Sequence, residues 1–324
     1  MQPGTNSAYP RDDKIEIMRS IFMGSPEFAL PALTALASLS EIVGVVTQPD
    51  RPAGRGRTLM PPPVKVLAEK LGLSVIQPET MRLPEVMDRL RSWQPDVIVV
   101  TAFGKILRPE VLSLPGRGCL NLHASLLPRH RGAAPIPAAI LAGDAETGIT
   151  LMKMDEGLDT GAILAQQKIA IHPEDTAASL SRNLSALAAE TLQTFFPVYI
   201  REGLAAVTQD NSCATYAPRL MKEEGRLDFR QSSEQVSRKV RAFHPWPGTF
   251  ILWKGHPLKI LEVELESFQG GQEPGTVLPY GLFPAVRTAD GIIILRQIQP
   301  AGKRPMAGDV FLRGAREFIG QVLA

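Results

Sequence analysis

The chain has 324 residues, 44% of them hydrophobic and 21% charged, which calls for two folded domains and excludes wholesale disorder. Two cysteines make no disulfide framework, and no apolar run reaches the ~20 residues needed to span a bilayer. A formal net charge of +2 singles out no partner, so any nucleic-acid contact has to come from local charge placement.

Residues 1–14 are polar, lack the apolar core of a signal peptide and read as a flexible extension. Together with the cysteine usage this points to a cytoplasmic protein. Residues 20–24 form a short apolar run closed by Gly24, then Ser25 and Pro26 lead into an apolar pattern through Leu39. The spacing predicts strand, turn and helix, with Ser25 as N-cap and Pro26 in the first turn. Strands are predicted at 42–47, 74–76 and 96–101, and helices at 64–71 and 83–93. Continuous apolar strands alternating with helices predict an α/β fold: a doubly wound, mainly parallel, Rossmann-like sheet covered on both faces. Ligands of such sheets sit beyond the carboxyl ends of the strands. Gly24-Ser25, Ala102-Phe103-Gly104 and residues 119–132 lie at such ends.

Further on, the pattern predicts a helix over 133–142, an antiparallel strand pair over 148–154 and 162–171, and a long helix over 176–201 capped at Asp175 or Thr176. These close a first domain over residues 15–205. Weak patterning around Gly203, Gln209 and Asn211 marks a linker at 206–216. Residues 217–324 carry one helix, Ser233–Ala242, and several short strands split by Gly and Pro, which predict a small OB-like β-barrel.

Asn121 and His123 alternate at a strand end, so their side chains share a face. An amide donor beside an imidazole suits holding a developing oxyanion and moving a proton; the plainer reading is a histidine satisfied by backbone beside a loop. Asp159, in the turn between the paired strands, reads alone as turn chemistry. Placed near His123, its carboxylate would hold the ring's tautomer. Residues 48–63 form an unusually long strand-to-helix connection, with Arg51, Arg55 and Arg57 against Asp50 alone. That suits either a solvated insertion or a phosphate-contacting loop. No Walker A sequence, dinucleotide fingerprint, Gly-x-Ser-x-Gly or metal-spaced cluster is present.

Asn121-Leu-His123, then Ser125-Leu-Leu-Pro128, with Leu158-Asp-Thr-Gly161 downstream, resembles the signature of the folate-dependent formyltransferases. Gly-Ser-Pro-Glu-Phe at 24–28, Thr-Gln-Pro-Asp-Arg-Pro-Ala-Gly-Arg-Gly at 47–56 and Arg-Gly-Ala-Ala-Pro at 131–135 extend the likeness. So do Gly-Asp-Ala-Glu-Thr-Gly at 143–148 and Arg-Ala-Phe-His-Pro-Trp-Pro at 241–247. These resemble the branch of the family that acts on methionyl-tRNA, from about residue 15 to the end. The resemblance implies transfer of the formyl group of 10-formyltetrahydrofolate to the α-amine of initiator methionyl-tRNA, without a metal. It implies that Asn121 and His123 polarise the formyl oxygen and that Asp159 pairs with His123. Ser125, Leu126, Leu127 and Pro128, with Phe103, Gly104 and Leu107, are implied to form the folate pocket. Arg51, Arg55 and Arg57 are implied to meet the tRNA acceptor stem, Arg55 foremost, and the C-terminal domain to lie along the tRNA. A cytoplasmic monomer with no membrane contact is expected. Two departures stand out: Ala124 where the family usually has Gly, and His130 where Trp is common.

Overall fold

The computed structural model describes residues 18–53 and 58–323; Arg55, Arg57 and the extension at 1–14 lie outside them. The chain opens with β1 (Arg19–Gly24), α1 (Leu30–Leu39) and β2 (Glu41–Val46), then a small hairpin of β3 (Arg51–Ala53) and β4 (Thr58–Met60). It continues through α2 (Pro63–Lys70), β5 (Val75–Ile76), α3 (Pro84–Ser92), β6 (Val97–Thr101), α4 (Pro109–Leu112) and β7 (Cys119–His123). The two-residue β8 (Arg131–Gly132), α5 (Pro135–Ala142), the pair β9 (Glu146–Lys153) and β10 (Ile163–Ala170), and α6 (Ala177–Arg201) follow.

Seven of these strands form one sheet in the order β10-β9-β7-β6-β1-β2-β5. From β7 to β5 all neighbours are parallel, while β9 and β10 run antiparallel on the β7 side. The central strands are apolar along their length because helices cover both faces. Side-chain alternation sorts them: Phe22, Val97, Val99 and Leu120 pack with α1 and α6, whereas Ile21, Met23, Ile98, Val100 and Cys119 pack with Leu90 and Trp93. Burying each such large aliphatic or aromatic side chain contributes about 1.5–3 kcal/mol. α6 offers Leu180, Leu184, Ala188, Leu192 and Phe196 at four-residue spacing, all buried, as an amphipathic helix lying on a sheet should. Its start is the expected one, with the Thr176 side chain accepting from Ser179 N.

Ser25 does not cap α1. A 3-10 turn, Glu27–Ala29, precedes that helix, and the N-cap Ala29 makes no side-chain bond. The Ser25 hydroxyl accepts instead from Gln48 N at 3.1 Å and from Thr47 Oγ1 at 3.2 Å. A polar contact between two strand ends has won over the local cap.

The second half holds β11 (Tyr216–Ala217), α7 (Ser233–Ala242), β12 (Thr249–Trp253), β13 (His256–Ser267), β14 (Val277–Tyr280), β15 (Phe283–Arg287), β16 (Gly291–Pro300), β17 (Met306–Ala307) and α8 (Gly308–Gly314). Its antiparallel sheet runs β12-β13-β16-β15-β14, with β17 on β16. Trp253, Phe311 and Phe318 meet edge to face at 5.2–5.6 Å within its core. α7 joins the halves: Val236 and Val240 pack into the second core, Ala242 and Phe243 into the first.

The stretch expected to be a linker is structured at its far end. β11 pairs in parallel with β8, and Gln209 is buried. Gly132, at φ 119°, permits that pairing, since a Cβ there would meet the Ala217 carbonyl oxygen at 2.7 Å. Two-residue strands leave no periodicity to read, so the pairing was invisible in the sequence.

Candidate active site

β7 carries Asn121 and His123 on one face at the seam of the sheet, with parallel β6 on one side and antiparallel β9 on the other. Asp159 reaches them by an indirect route. β9 ends beside the start of β7, where Met154 N bonds Cys119 O, and the connection to β10 then returns over the face that holds both side chains. The site therefore lies over the body of β7 as well as at its carboxyl end.

Asn121 is 9% exposed, His123 5%, and the Asp159 side chain 14%. Asp159 Oδ2 accepts from Gly132 N at 2.8 Å and stands 3.6 Å from His123 Nδ1. Its Oδ1 is 3.5 Å from Asn121 Nδ2. The carboxylate thus faces both groups, at ion-pair range of the ring rather than at full hydrogen-bond distance. His123 Nε2 lies 3.0 Å from the His130 carbonyl oxygen. A carbonyl can only accept, so Nε2 is assigned the hydrogen, and Nδ1 is the nitrogen turned toward Asn121 and Asp159.

That carbonyl is itself held. His130 is in the left-handed region at φ 58°; its N–H donates to Thr215 Oγ1 at 2.8 Å, and its Nε2 meets Asp144 Oδ2 at 2.7 Å. Asp144 also accepts from Arg129 Nη2. His130 is thus buried against a carboxylate, and its backbone faces His123.

Residues 125–128 form a tight wall. Thr150 Oγ1 donates to Ser125 O at 2.6 Å and accepts from Leu127 N at 3.1 Å. Gln166 Nε2 donates to Leu127 O at 2.9 Å. The Ser125 hydroxyl donates to Arg129 O at 2.6 Å, closing the turn over residues 125–129. Leu127 is buried, while Leu126 and Pro128 are half-exposed. Across the sheet, Phe103 and Leu107 are buried in the core, and Gly104 and Ile106 are exposed beside them. Gln48 ties these strand ends together: its Nε2 donates to Phe103 O at 2.9 Å, and its N–H reaches Ser25.

Gln48 also fixes the foot of the arginine loop, its Oε1 accepting from Arg51 Nη2 at 2.7 Å. The loop starts as the β3–β4 hairpin, with Leu59 and Met60 exposed. Asp50, the acidic residue set against the three arginines, turns away to Lys65 Nζ at 2.9 Å and Gln77 Nε2 at 2.6 Å. Hydrogen bonds from Gln77 and Lys65 hold its carboxyl below the usual range. Nearby, Lys105 donates to Pro78 O and Glu79 O; burial lowers its pKa, the Glu79 charge opposes that, and the Arg51 charge adds a smaller push downward.

Thr150, Gln166, Arg131 and Gln209 support the site and were not singled out from the sequence. Arg131 sits in a motif already quoted, but Gln209 lies in a stretch without pattern. A cleft of about 760 Å³ opens elsewhere, between the halves, lined by Glu174, Glu234, Arg238, Arg241 and Glu262 among others. None of Asn121, His123 and Asp159 borders it.

A mixed sheet brings an amide, an imidazole and a carboxylate together and is followed by a separate antiparallel sheet. Residues 18–195 match the formyl transferase family and residues 219–316 its C-terminal domain; the chain belongs to this family. It is 48% identical over 300 residues to the methionyl-tRNA formyltransferase of Myxococcus xanthus, covering 91% of this chain and 95% of that one. It is 46% identical over 300 residues to the methionyl-tRNA formyltransferase of Chloroflexus aurantiacus, at 92% and 97% coverage. Among solved structures it superposes on an N-formyltransferase from Helicobacter canadensis in complex with folinic acid and dTDP-3-aminofucose. The TM-score there is 0.64, at 19% identity over 88% of this chain and 99% of that one, a likeness of fold.

Proposed function

We propose that this protein transfers the formyl group of 10-formyltetrahydrofolate to the α-amine of initiator methionyl-tRNA. The observation that carries this reading is the meeting of Asn121, His123 and Asp159, brought from segments 38 residues apart. Amine addition puts negative charge on the formyl oxygen and positive charge on the attacking nitrogen, so a site needs a donor for the first and a base for the second. The side chains fit the folate donor in that sense. Asn121 Nδ2 has two N–H groups, of which Asp159 engages one, and the other is available to the oxygen. His123 Nδ1, unprotonated while Nε2–H is spent on the His130 carbonyl, takes the proton of the attacking amine. The resulting ring N–H is a second donor for the oxyanion, and the Asp159 carboxylate stabilises its charge. His123 then gives the proton to the departing nitrogen.

The folate supplies the activated formyl carbon. In this reading the Gly104 backbone, Leu126 and Pro128 line its pocket, with Phe103, Leu107 and Leu127 behind them; the half-exposure of Leu126 and Pro128 and the exposure of Gly104 support it. The Ser125 hydroxyl shapes that wall. Arg51, Arg55 and Arg57 contact acceptor-stem phosphates, and the C-terminal domain extends the tRNA surface. The domain division at residues 15–205 and 217–324 belongs to this reading, with 206–216 between.

The test is formyl transfer from 10-formyltetrahydrofolate to charged initiator tRNA beside small amines such as amino-sugar nucleotides. Turnover with tRNA and not with the small amines is expected. The reverse would move the assignment to another branch of the family, and formate release without any amine would indicate hydrolysis.

A further inference from the structure

Gln209 spends its whole amide on the catalytic side of the molecule. Nε2 donates to Asp159 O at 2.8 Å and to Gly161 O at 2.7 Å. Oε1 accepts from Arg131 Nε at 3.0 Å and Arg131 Nη2 at 2.8 Å. Arg131 is 2% exposed and Gln209 6%, and Arg131 Nη2 also reaches Asn211 Oδ1 at 2.9 Å. Among the described residues, this buried side-chain cation is hydrogen-bonded by two amide oxygens. A buried charge is costly unless hydrogen-bonded, so the arrangement is built to be kept.

What it keeps is the Asp159 turn. Residues 155–158 are exposed, and Asp159 occupies the left-handed region at φ 53°. Within the turn, Asp155 accepts from Gly157 N and Thr160 Oγ1, which shapes the loop without aiming it. Beside the long 3.5 Å contact from Asn121, two shorter contacts aim it: Gly132 N on the Asp159 carboxylate and Gln209 on the Asp159 carbonyl. Gly132 is paired in turn with Ala217. Thr215, between them, accepts from His130 N and, through its carbonyl, from Arg131 N at 2.8 Å. Both anchors of Asp159, and the backbone whose carbonyl meets His123, lead to residues 209–217.

We propose that Gln209 is a positioning residue for formyl transfer, and that residues 209–217 hold Asp159 and His123 at their working separation. The proposal rests on Asp159 and His123 acting as described above. Gln209 is buried and its bonds go to Arg131 and to the Asp159 and Gly161 carbonyls, so its loss acts on the rate and not on binding.

The experiment uses the full chain with Gln209→Glu, which keeps an acceptor for Arg131 but turns both donors into acceptors facing the Asp159 and Gly161 carbonyls. Misplacing a catalytic group by about 1 Å costs up to ~100-fold in rate, so a 10- to 100-fold fall in kcat is expected. KM for tRNA and for the folate should stay within about twofold. Made in an Asp159→Asn background, the same change should cost less than about threefold, because the group it aims is already gone. An unchanged kcat, or an equal loss in both backgrounds, overturns the proposal. If Asp159→Asn alone leaves kcat intact, the catalytic reading itself has failed, and the two failures are told apart. If the new carboxylate prevents folding, Arg131→Met with Gln209→Met removes the cation and its acceptor together and is read the same way.

Discussion

Replacing Asp159 by Asn is the sharpest test of the site. The amide keeps an acceptor for Gly132 N, so the turn is retained while the charge is removed. His123 Nδ1 stands 3.6 Å from the carboxylate. Unit charges about 4 Å apart interact by about 4 kcal/mol at an effective dielectric of ~20. The side chain's 14% exposure lets water screen part of this, so about 3 kcal/mol is the working figure for the loss at the transition state, where the ring carries the proton. At 1.36 kcal/mol per factor of ten, the rate falls on the order of 100-fold. The assay is single-turnover formyl transfer to charged initiator tRNA near pH 7, with tRNA affinity and the thermal midpoint as controls. A correctly folded Asp159→Asn protein within about threefold of the unaltered rate would refute the charge argument.

His123→Ala removes the base and one oxyanion donor, and should cut turnover by at least ~100-fold while leaving tRNA affinity within about twofold; filter binding beside the rate assay checks both. Arg55→Ala should raise the apparent KM for tRNA and lower the salt slope of binding by about one unit; a selective loss for the folate would count against the loop assignment. Burial pushes the Cys119 thiol from an ordinary 9.0 up to about 12. Keeping the thiol neutral in the folded state gives a contribution fully present below pH 9 and lost as the pH climbs toward 12. Thermal midpoints measured from pH 9 to 11 should therefore fall less steeply for Cys119→Ala, a difference of at most about 1.4 kcal/mol per pH unit.

The parallel half of the sheet was legible because β-branched runs such as Val97–Thr101 are dictated by burial on both faces. Asn121 and His123 could be paired from their spacing alone, since alternation is a local property. Asp159 could not be placed that way: its approach depends on where β9 ends against β7. Gln209 was hidden for a related reason. Its partner Arg131 is 78 residues away, and a polar residue in an unpatterned stretch carries no sign of burial. The Ser25 hydroxyl shows the opposite error, a sound local rule overridden by a strand end that needed the same atom. The β3–β4 hairpin was masked by its Pro and Gly content, which reads as irregular loop.

The close approach at Gly132 and Ala217 bears on where this chain divides. Counted by sequence pattern, the first domain stops near residue 205. Residues 215–217 are nonetheless hydrogen-bonded to it, because Ala217 O accepts from Ala134 N and Thr215 O from Arg131 N. A fragment ending at 205 would keep Asn121, His123 and Asp159 and lose the hydrogen-bond partners that residues 209–217 give to the Asp159, His130 and Arg131 backbone. The covalent tether to the C-terminal half is thus hydrogen-bonded to the backbone that carries Asp159, His130 and Arg131, so it reads as a clamp on that backbone as well as a connection.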